Sequence, residues 1–257
     1  QDDDTAEVLV SALGSMVTSE SSMGTASFSV VLASQPASSV EVQIVSQDTS
    51  EGTVDLSSVV FNAVNWDDPV TVQVSPVDDD IDDDNVSYTV ALSAPITTDP
   101  KYAALGDSDV DDIEVVNQDD DTAGFSISGA TSLDTTEGGA TDSFNLKLDS
   151  EPTADVTVNV SSTDTGEVSI ITAERVFTAS NWNVNQTITV SGVDDEIVDG
   201  TKTVTVSLGT GSSLDGKYNG LTAGSVLVDN SDDEPQPSVS IADGSVVEGD
   251  AGTATLN

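Results

Sequence analysis

The chain has 257 residues, a length that suits two ordinary domains, and a formal net charge of −42 with only five Lys and Arg residues. This charge repels nucleic acid and anionic membrane surfaces, so neither is an expected partner. Cysteine and histidine are absent, which excludes disulfide bonds, thiolate or imidazole catalysis and ordinary zinc sites.

Short segments of alternating apolar and polar residues, separated by turn-rich stretches, predict seven β-strands in the first half of the chain. In chain order, and lettered A to G, they span residues 7–11, 27–32, 40–46, 59–61, 70–74, 87–92 and 113–116. No stretch has helical periodicity, and none reaches the roughly 18–20 apolar residues that would span a bilayer. Seven short strands in about 115 residues predict an all-β fold, an immunoglobulin-like antiparallel β-sandwich.

The second half of the chain repeats the first. Asn65-Trp66 recurs as Asn181-Trp182, and Lys101-Tyr102 recurs as Lys217-Tyr218, at an offset of 116 residues (182 − 66). Near the end of the unit the offset falls to 113 (232 − 119), which a small deletion in the second copy explains. We therefore predict tandem sandwiches. The first repeat spans 1–121, with 1–4 ending a preceding repeat, the second spans 122–234, and a third, truncated repeat starts at 235–257.

The chain begins within a repeat motif, without Met or a visible signal peptide. We therefore expect it to be a piece of a longer protein. Its richness in Ser, Thr, Val, Asp and Gly favours β structure with polar turns and an extracellular setting.

Acidic residues recur at four strand junctions in both repeats. If each strand runs antiparallel to the one before it, the A–B, C–D and E–F connections and the exit from strand G lie at one end of a repeat. The candidate metal ligands at this end are Glu20, Asp48, Glu51, Asp78, Asp79, Asp80, Asp119, Asp120, Asp121, Glu137, Asp164, Asp194, Asp195, Glu196, Asp232 and Asp233. Glu167, Asp199 and Glu234 lie at the same junctions. The acidic run 82–84 is expected to extend the E–F connection into solvent.

Carboxylates gathered at one end of a domain favour a bound cation. Two unit charges about 4 Å apart repel by roughly 1 kcal/mol in water, and by more where solvent is partly excluded. Calcium takes about 6–8 oxygen ligands, whereas magnesium keeps its waters and a strict octahedron, so Ca²⁺ is the predicted cofactor. The alternative is that the acids form solvated loops, as in a protein from a saline habitat. That alternative does not explain why the acids recur at corresponding junctions.

The ordered set of these segments resembles the Calx-beta repeat, a sandwich module of sodium–calcium exchangers and of many bacterial surface proteins. The segments that carry the resemblance are 48–52, 61–66, 77–84, Lys101-Tyr102 with Leu105, and 119–124, with their counterparts in the second repeat and 246–249 opening a third. The variant they match most resembles the tandem repeats of large, RTX-type bacterial adhesins. The resemblance implies calcium ligation by Glu20, Asp78, Asp79 and Asp119–Asp121. The shortened C–D connection leaves the roles of Asp48 and Glu51 open.

We therefore expect a calcium-binding structural extender of a bacterial cell-surface adhesin, in contact with neighbouring repeats of the same long chain. Calcium at the tips and junctions would rigidify the array in place of disulfides. Any glycan or surface protein is expected to bind through other domains.

Two alternative functions stay open. One is a module that binds carbohydrate or protein directly, with Trp66 and Trp182 either stacking on sugar or, on the competing interpretation, filling a core or junction. The other is a calcium sensor. Enzyme activity is not expected, because no His and no convincing Lys base accompanies the hydroxyl and carboxylate groups.

Overall fold

The computed structural model describes residues 4–129, 132–235 and 238–240. Within these ranges the fold is all-β, as predicted, with two short 3₁₀-helices at Tyr102–Ala104 and Asp107–Asp109 and no α-helix. None of the described segments is a helix long and apolar enough to cross a membrane. Asp2 and Asp3 of the first acidic run, and most of the predicted third repeat at 235–257, lie outside the described residues.

The first repeat contains all seven predicted strands and three further short ones. In chain order they are β1 Val8–Ala12, β2 Val17–Ser19, β3 Ala26–Leu32, β4 Val40–Ser46, β5 Gly52–Val54, β6 Ser58–Phe61, β7 Val70–Pro76, β8 Val86–Leu92, β9 Ile96–Thr97 and β10 Ile113–Gln118. The strands that were not predicted, β2, β5 and β9, have only two or three residues each, too few for an alternating pattern to be recognised.

These strands form two sheets. One has the order β1-β3-β7-β5, and the other has the order β2-β10-β8-β4-β6, with β9 also pairing with β4. All pairs are antiparallel except β2 with β10, which is parallel. The predicted strand D corresponds to β6, which pairs with β4, while the short β5 occupies the place beside β7. The chain therefore crosses from one sheet to the other between β5 and β6. The sequence predicted a single strand D in this region and did not predict the crossing.

The second repeat has the same plan. Its strands are β11 Phe125–Ser128, β12 Ser132–Thr136, β13 Thr141–Leu148, β14 Val156–Ser162, β15 Val168–Ile170, β16 Glu174–Phe177, β17 Gln186–Gly192, β18 Lys202–Thr210 and β19 Thr222–Ser231. They form sheets in the orders β11-β13-β17-β15 and β12-β19-β18-β14-β16, with β12 parallel to β19. Corresponding strands therefore occupy corresponding places in the two repeats.

Each repeat has its own apolar core, to which both of its sheets contribute side chains. On β4, Val40, Val42 and Ile44 are buried and alternate with the half-buried Glu41 and the exposed Gln43. Trp182 is buried in the core of the second repeat, and Trp66 packs half-buried against the core of the first. The packing of both tryptophans against the cores favours the core interpretation over an exposed platform for sugar stacking.

Candidate metal centres

A buried asparagine connects three of the acidic junctions of the first repeat. Asn117, on β10, donates from Nδ2 to Glu20 Oε1 at 2.7 Å, to Glu51 Oε2 at 3.4 Å and to the Val77 carbonyl at 3.3 Å. Its Oδ1 accepts from the Thr18 hydroxyl at 2.8 Å. Glu20 follows β2, Glu51 precedes β5 and Val77 follows β7. The A–B, C–D and E–F connections and the end of strand G therefore meet at one end, as strand direction predicts.

Glu20 lies at the centre of this group. The residue is 5% exposed, and its Oε2 has no hydrogen-bond partner. Burial first, and then the charges of Asp79 and Asp119, raise the pKa of Glu20 to about 7. A buried carboxylate with an open oxygen is costly unless it is neutralised or paired with a cation. We call this end of the first repeat, around Glu20, Asp78 and Asp119–Asp121, its pole. A cation there would compensate the buried negative charge.

Carboxylates from two connections approach Glu20. Two groups have carboxylate oxygens that all lie within 4.8 Å of one another: Glu20 with Asp78 and Asp120, and Glu20 with Asp119 and Asp121. Burial, followed by the charges of Asp120 and Asp119, raises the pKa of Asp121 to about 6. Asp119 is positioned by backbone groups, since its Oδ1 accepts from the Asp121 N–H at 2.7 Å and its Oδ2 from the Asp84 N–H at 2.9 Å.

The second repeat reproduces this pole. Asn230, on β19, donates to Glu167 Oε2 at 3.2 Å and accepts from the Thr135 hydroxyl at 2.9 Å. Glu137 is 1% exposed, and neither of its carboxylate oxygens has a hydrogen-bond partner. The neighbouring carboxyls of Asp232 and Glu137, together with burial, raise the pKa of Glu234 to about 7. The oxygen groups within 4.8 Å are Glu137 with Glu167 and Asp199, Glu137 with Asp232 and Glu234, and Asp194 with Asp233 and Glu234.

Several predicted ligands lie outside these groups. Asp48 and Asp164 close their own turns, with Oδ1 accepting from the N–H of Ser50 at 3.1 Å and of Gly166 at 3.0 Å respectively. Asp79 and Asp195 do the same for the N–H groups of Ile81 and Ile197, at 2.8 and 2.7 Å. Asp80 and Glu196 are exposed. Glu51 is connected to the pole by its hydrogen bond from Asn117, but it belongs to none of the carboxylate groups. Ligation by these seven residues stays a prediction.

Two polar residues at the poles were not predicted from the sequence. Asn117 and Asn230 are not among the candidate ligands, although their recurrence at the 113-residue offset, two residues before an acidic run, was a usable signal. Their partners Thr18 and Thr135 also occupy corresponding positions on the neighbouring parallel strands, at an offset of 117 residues (135 − 18). A neutral amide on a strand carries no charge, so a search for acidic ligands does not identify it.

One expectation about the E–F connection holds for Asp83 and Asp84, which are exposed, but not for Asp82. The run 82–84 was expected to lie in solvent, yet the side chain of Asp82 is only 14% exposed. Its Oδ2 accepts from the Ala123 N–H at 2.7 Å, and its Oδ1 accepts from Lys217 Nζ at 2.5 Å. Asp84 agrees better with the expectation, since its side chain is 82% exposed. The difference arises because the second repeat packs against this connection.

The candidate ligand atoms at both poles suit a hard dication. All the groups consist of carboxylate oxygens, which Ca²⁺ prefers, and no nitrogen or sulfur ligand belongs to any of them. The open oxygens of Glu20 and Glu137 would complete the set, with backbone carbonyls and water supplying the remaining ligands. The residues present therefore fit a calcium ion.

No family model matches the chain, and no curated protein matches it. Among solved structures, the CBD12 structure from CALX1.2 is similar at 16% identity and a TM-score of 0.35, covering 86% of this chain and 98% of its own. The calcium binding domain CBD12 of CALX1.1 is 17% identical with a TM-score of 0.35, covering 79% and 80%. Domains 4 and 5 of the S-layer protein SbsC are 18% identical with a TM-score of 0.28, covering 74% and 75%. At these values the likeness assigns no family.

Proposed function

We propose that each repeat binds calcium at its acidic pole. The observation that carries this proposal is the burial, in both repeats, of a glutamate with unpartnered carboxylate oxygens among further carboxylates. A solvated acidic loop would not bury such a group, because an unpaired buried charge is destabilising. A dication at the pole would use the open oxygens of Glu20 and Glu137 and neutralise the mutual repulsion of their neighbours.

A calorimetric calcium titration of the metal-free chain tests this proposal. We expect Glu20→Gln to weaken binding at the first pole by about tenfold or more and to leave the second pole intact, with Glu137→Gln giving the converse. Glu41→Gln, on β4 away from the pole, is the matched control. No calcium-dependent heat in the unaltered chain, with magnesium and sodium as references, would contradict the proposal.

Thermal unfolding of Glu20→Gln is a second test, because the substitution should change the unfolding temperature in opposite directions with and without calcium. Glu20→Gln removes a buried unpaired charge, so it should raise the unfolding temperature of the metal-free protein while lowering that of the calcium-loaded protein. A glutamate that serves only to support the fold would instead lower the unfolding temperature in both states.

We further propose that the repeats are tandem immunoglobulin-like, Calx-beta-like sandwiches that act as an extender of a bacterial surface adhesin. Support comes from the two separate cores, the equivalent sheet orders and the poles at corresponding strand ends. An extracellular location, where calcium is plentiful, and contact with neighbouring repeats belong to this proposal, as does the lack of enzyme activity. Direct carbohydrate binding gains no support, because the two tryptophans contribute to the cores.

A further inference from the structure

Lys217 of the second repeat contacts the E–F connection of the first repeat, which is the segment between β7 and β8. Its ammonium lies 2.5 Å from Asp82 Oδ1 and 2.8 Å from Asp84 Oδ1. The lysine side chain is 33% exposed and that of Asp82 is 14% exposed, so the ion pair between Lys217 and Asp82 is largely shielded from solvent. The two carboxylates hold the pKa of Lys217 above its usual value, Asp82 contributing most. We call Lys217 with Asp82 and Asp84 the junction ion pair.

Two further bonds cross the same junction. Asp82 uses its second oxygen to accept from the Ala123 N–H at 2.7 Å, which fixes the start of the second repeat. The Glu151 N–H, between β13 and β14, donates to the Asp80 carbonyl at 2.6 Å. The E–F connection of the first repeat therefore contacts three separate parts of the second, and its contacts can define an orientation as well as a distance.

The turn at Asp84 has a backbone conformation that glycine adopts in the second repeat. Asp84 has φ = +64°, a left-handed conformation that Asp and Asn adopt more often than other side-chain-bearing residues and that glycine adopts most easily. The equivalent residue of the second repeat, 116 positions later, is Gly200 at φ = +76°. Both donate their N–H to an aspartate of the terminal run, Asp119 and Asp232 respectively. Glycine serves this turn without strain, and the aspartate of the first repeat adds a contact with Lys217 that glycine cannot make.

The two E–F connections differ at both acceptors of the junction ion pair. Position 82 corresponds to Val198 and position 84 to Gly200, and neither residue has a carboxylate that could accept a hydrogen bond from a lysine. Val198 is 42% exposed. The second repeat therefore lacks the carboxylates with which the first repeat binds the lysine of its neighbour.

We propose that the lysine of the Lys-Tyr motif is a docking point for the preceding repeat, and that an E–F connection with Asp at both positions is the partner it fits. The first and second repeats then form a directional pair, whereas the second repeat cannot bind a following one in this way. Arrays of such units contain two kinds of joint, one held by an ion pair and one not. Neither Asp82 nor Asp84 belongs to a carboxylate group at the poles, so we expect the contact to form with or without calcium.

Distance measurements between spin labels on the two repeats test this proposal. The chain has no cysteine, so Val64→Cys and Val184→Cys, both at exposed positions, give one labelling site in each repeat. We expect a narrow distance distribution in metal-free and calcium-loaded protein alike. Lys217→Glu should broaden it about twofold or more in both states, because unsupported neighbouring domains move relative to one another. Lys217→Arg should keep it narrow.

Two further variants keep the test decisive. Asp84→Gly copies the second repeat, so it should broaden the distribution while raising, or leaving unchanged, the unfolding temperature of the first repeat. Lys202→Ala is the matched control, since it removes an ion pair with Asp199 (3.1 Å) inside the second repeat and should leave the distribution narrow. An unchanged width in both Lys217→Glu and Asp84→Gly would overturn the proposal. That result would leave calcium binding at the poles untouched.

Discussion

At the scale of single residues, Glu20 and Glu137 distinguish this chain from an ordinary acidic protein. Most of its carboxylates are exposed or accept backbone N–H groups in turns, and such residues need no counter-ion. Glu20 instead shares its pole with an amide that holds one oxygen and leaves the other open. This arrangement orients the carboxylate in advance, which lowers the cost of ordering it when a cation binds.

The raised pKa values of the pole carboxyls predict an unusual dependence of stability on pH. Glu20 and Glu234 titrate near pH 7 and Asp121 near pH 6 in the metal-free fold, well above their usual values. The folded state therefore binds more protons than the unfolded state between about pH 4.5 and pH 7, so stability falls as pH rises through this window. We expect metal-free protein to unfold at a lower temperature at about pH 7.5 than at about pH 5.

Calcium should reverse that trend, because bound calcium requires ionised ligands and protons compete with it below neutral pH. Thermal unfolding of stripped protein in calcium-free buffers, repeated with excess calcium at matched ionic strength, measures both slopes. Parallel slopes with and without calcium would contradict the assignment of these carboxyls to a metal pole.

At the scale of elements, the sequence predicted the longer strands well, because alternation on strands such as β3, β4 and β8 follows directly from burial of one face. It missed β2, β5 and β9, whose two or three residues become strands only through pairing with distant partners. The meeting of the acidic junctions followed from strand direction alone. The burial of Asp82 did not, since it depends on how the two repeats pack, which no local pattern encodes.

Asn117 links elements of both sheets, and its removal should be costly. It bonds to Thr18 on β2 and, at the other sheet, to Glu51 and the carbonyl that follows β7. We expect Asn117→Ala to lower the free energy of unfolding by about 1–3 kcal/mol, because several buried polar groups lose a partner. Denaturant unfolding measures this loss, with the exposed Asn219→Ala as control. A cost for Asn117→Ala no larger than that of the control would remove its role as a connector.

At the scale of the whole molecule, the chain combines a net charge of −42 with cores built from Val, Leu, Ile and a few aromatic residues. Self-repulsion on that scale destabilises a compact state. No disulfide offsets it, because the sequence has no cysteine. Calcium at each pole would neutralise the acidic end of that repeat. The junction ion pair would orient the second repeat on the first.

The most direct test of the calcium poles is the anomalous diffraction of a calcium-soaked crystal of this chain. We predict a calcium peak beside Glu20 Oε2, and another beside Glu137, each surrounded by carboxylate oxygens at about 2.3–2.6 Å. Carboxylates that stay apart at saturating calcium, with only water between them, would contradict the account.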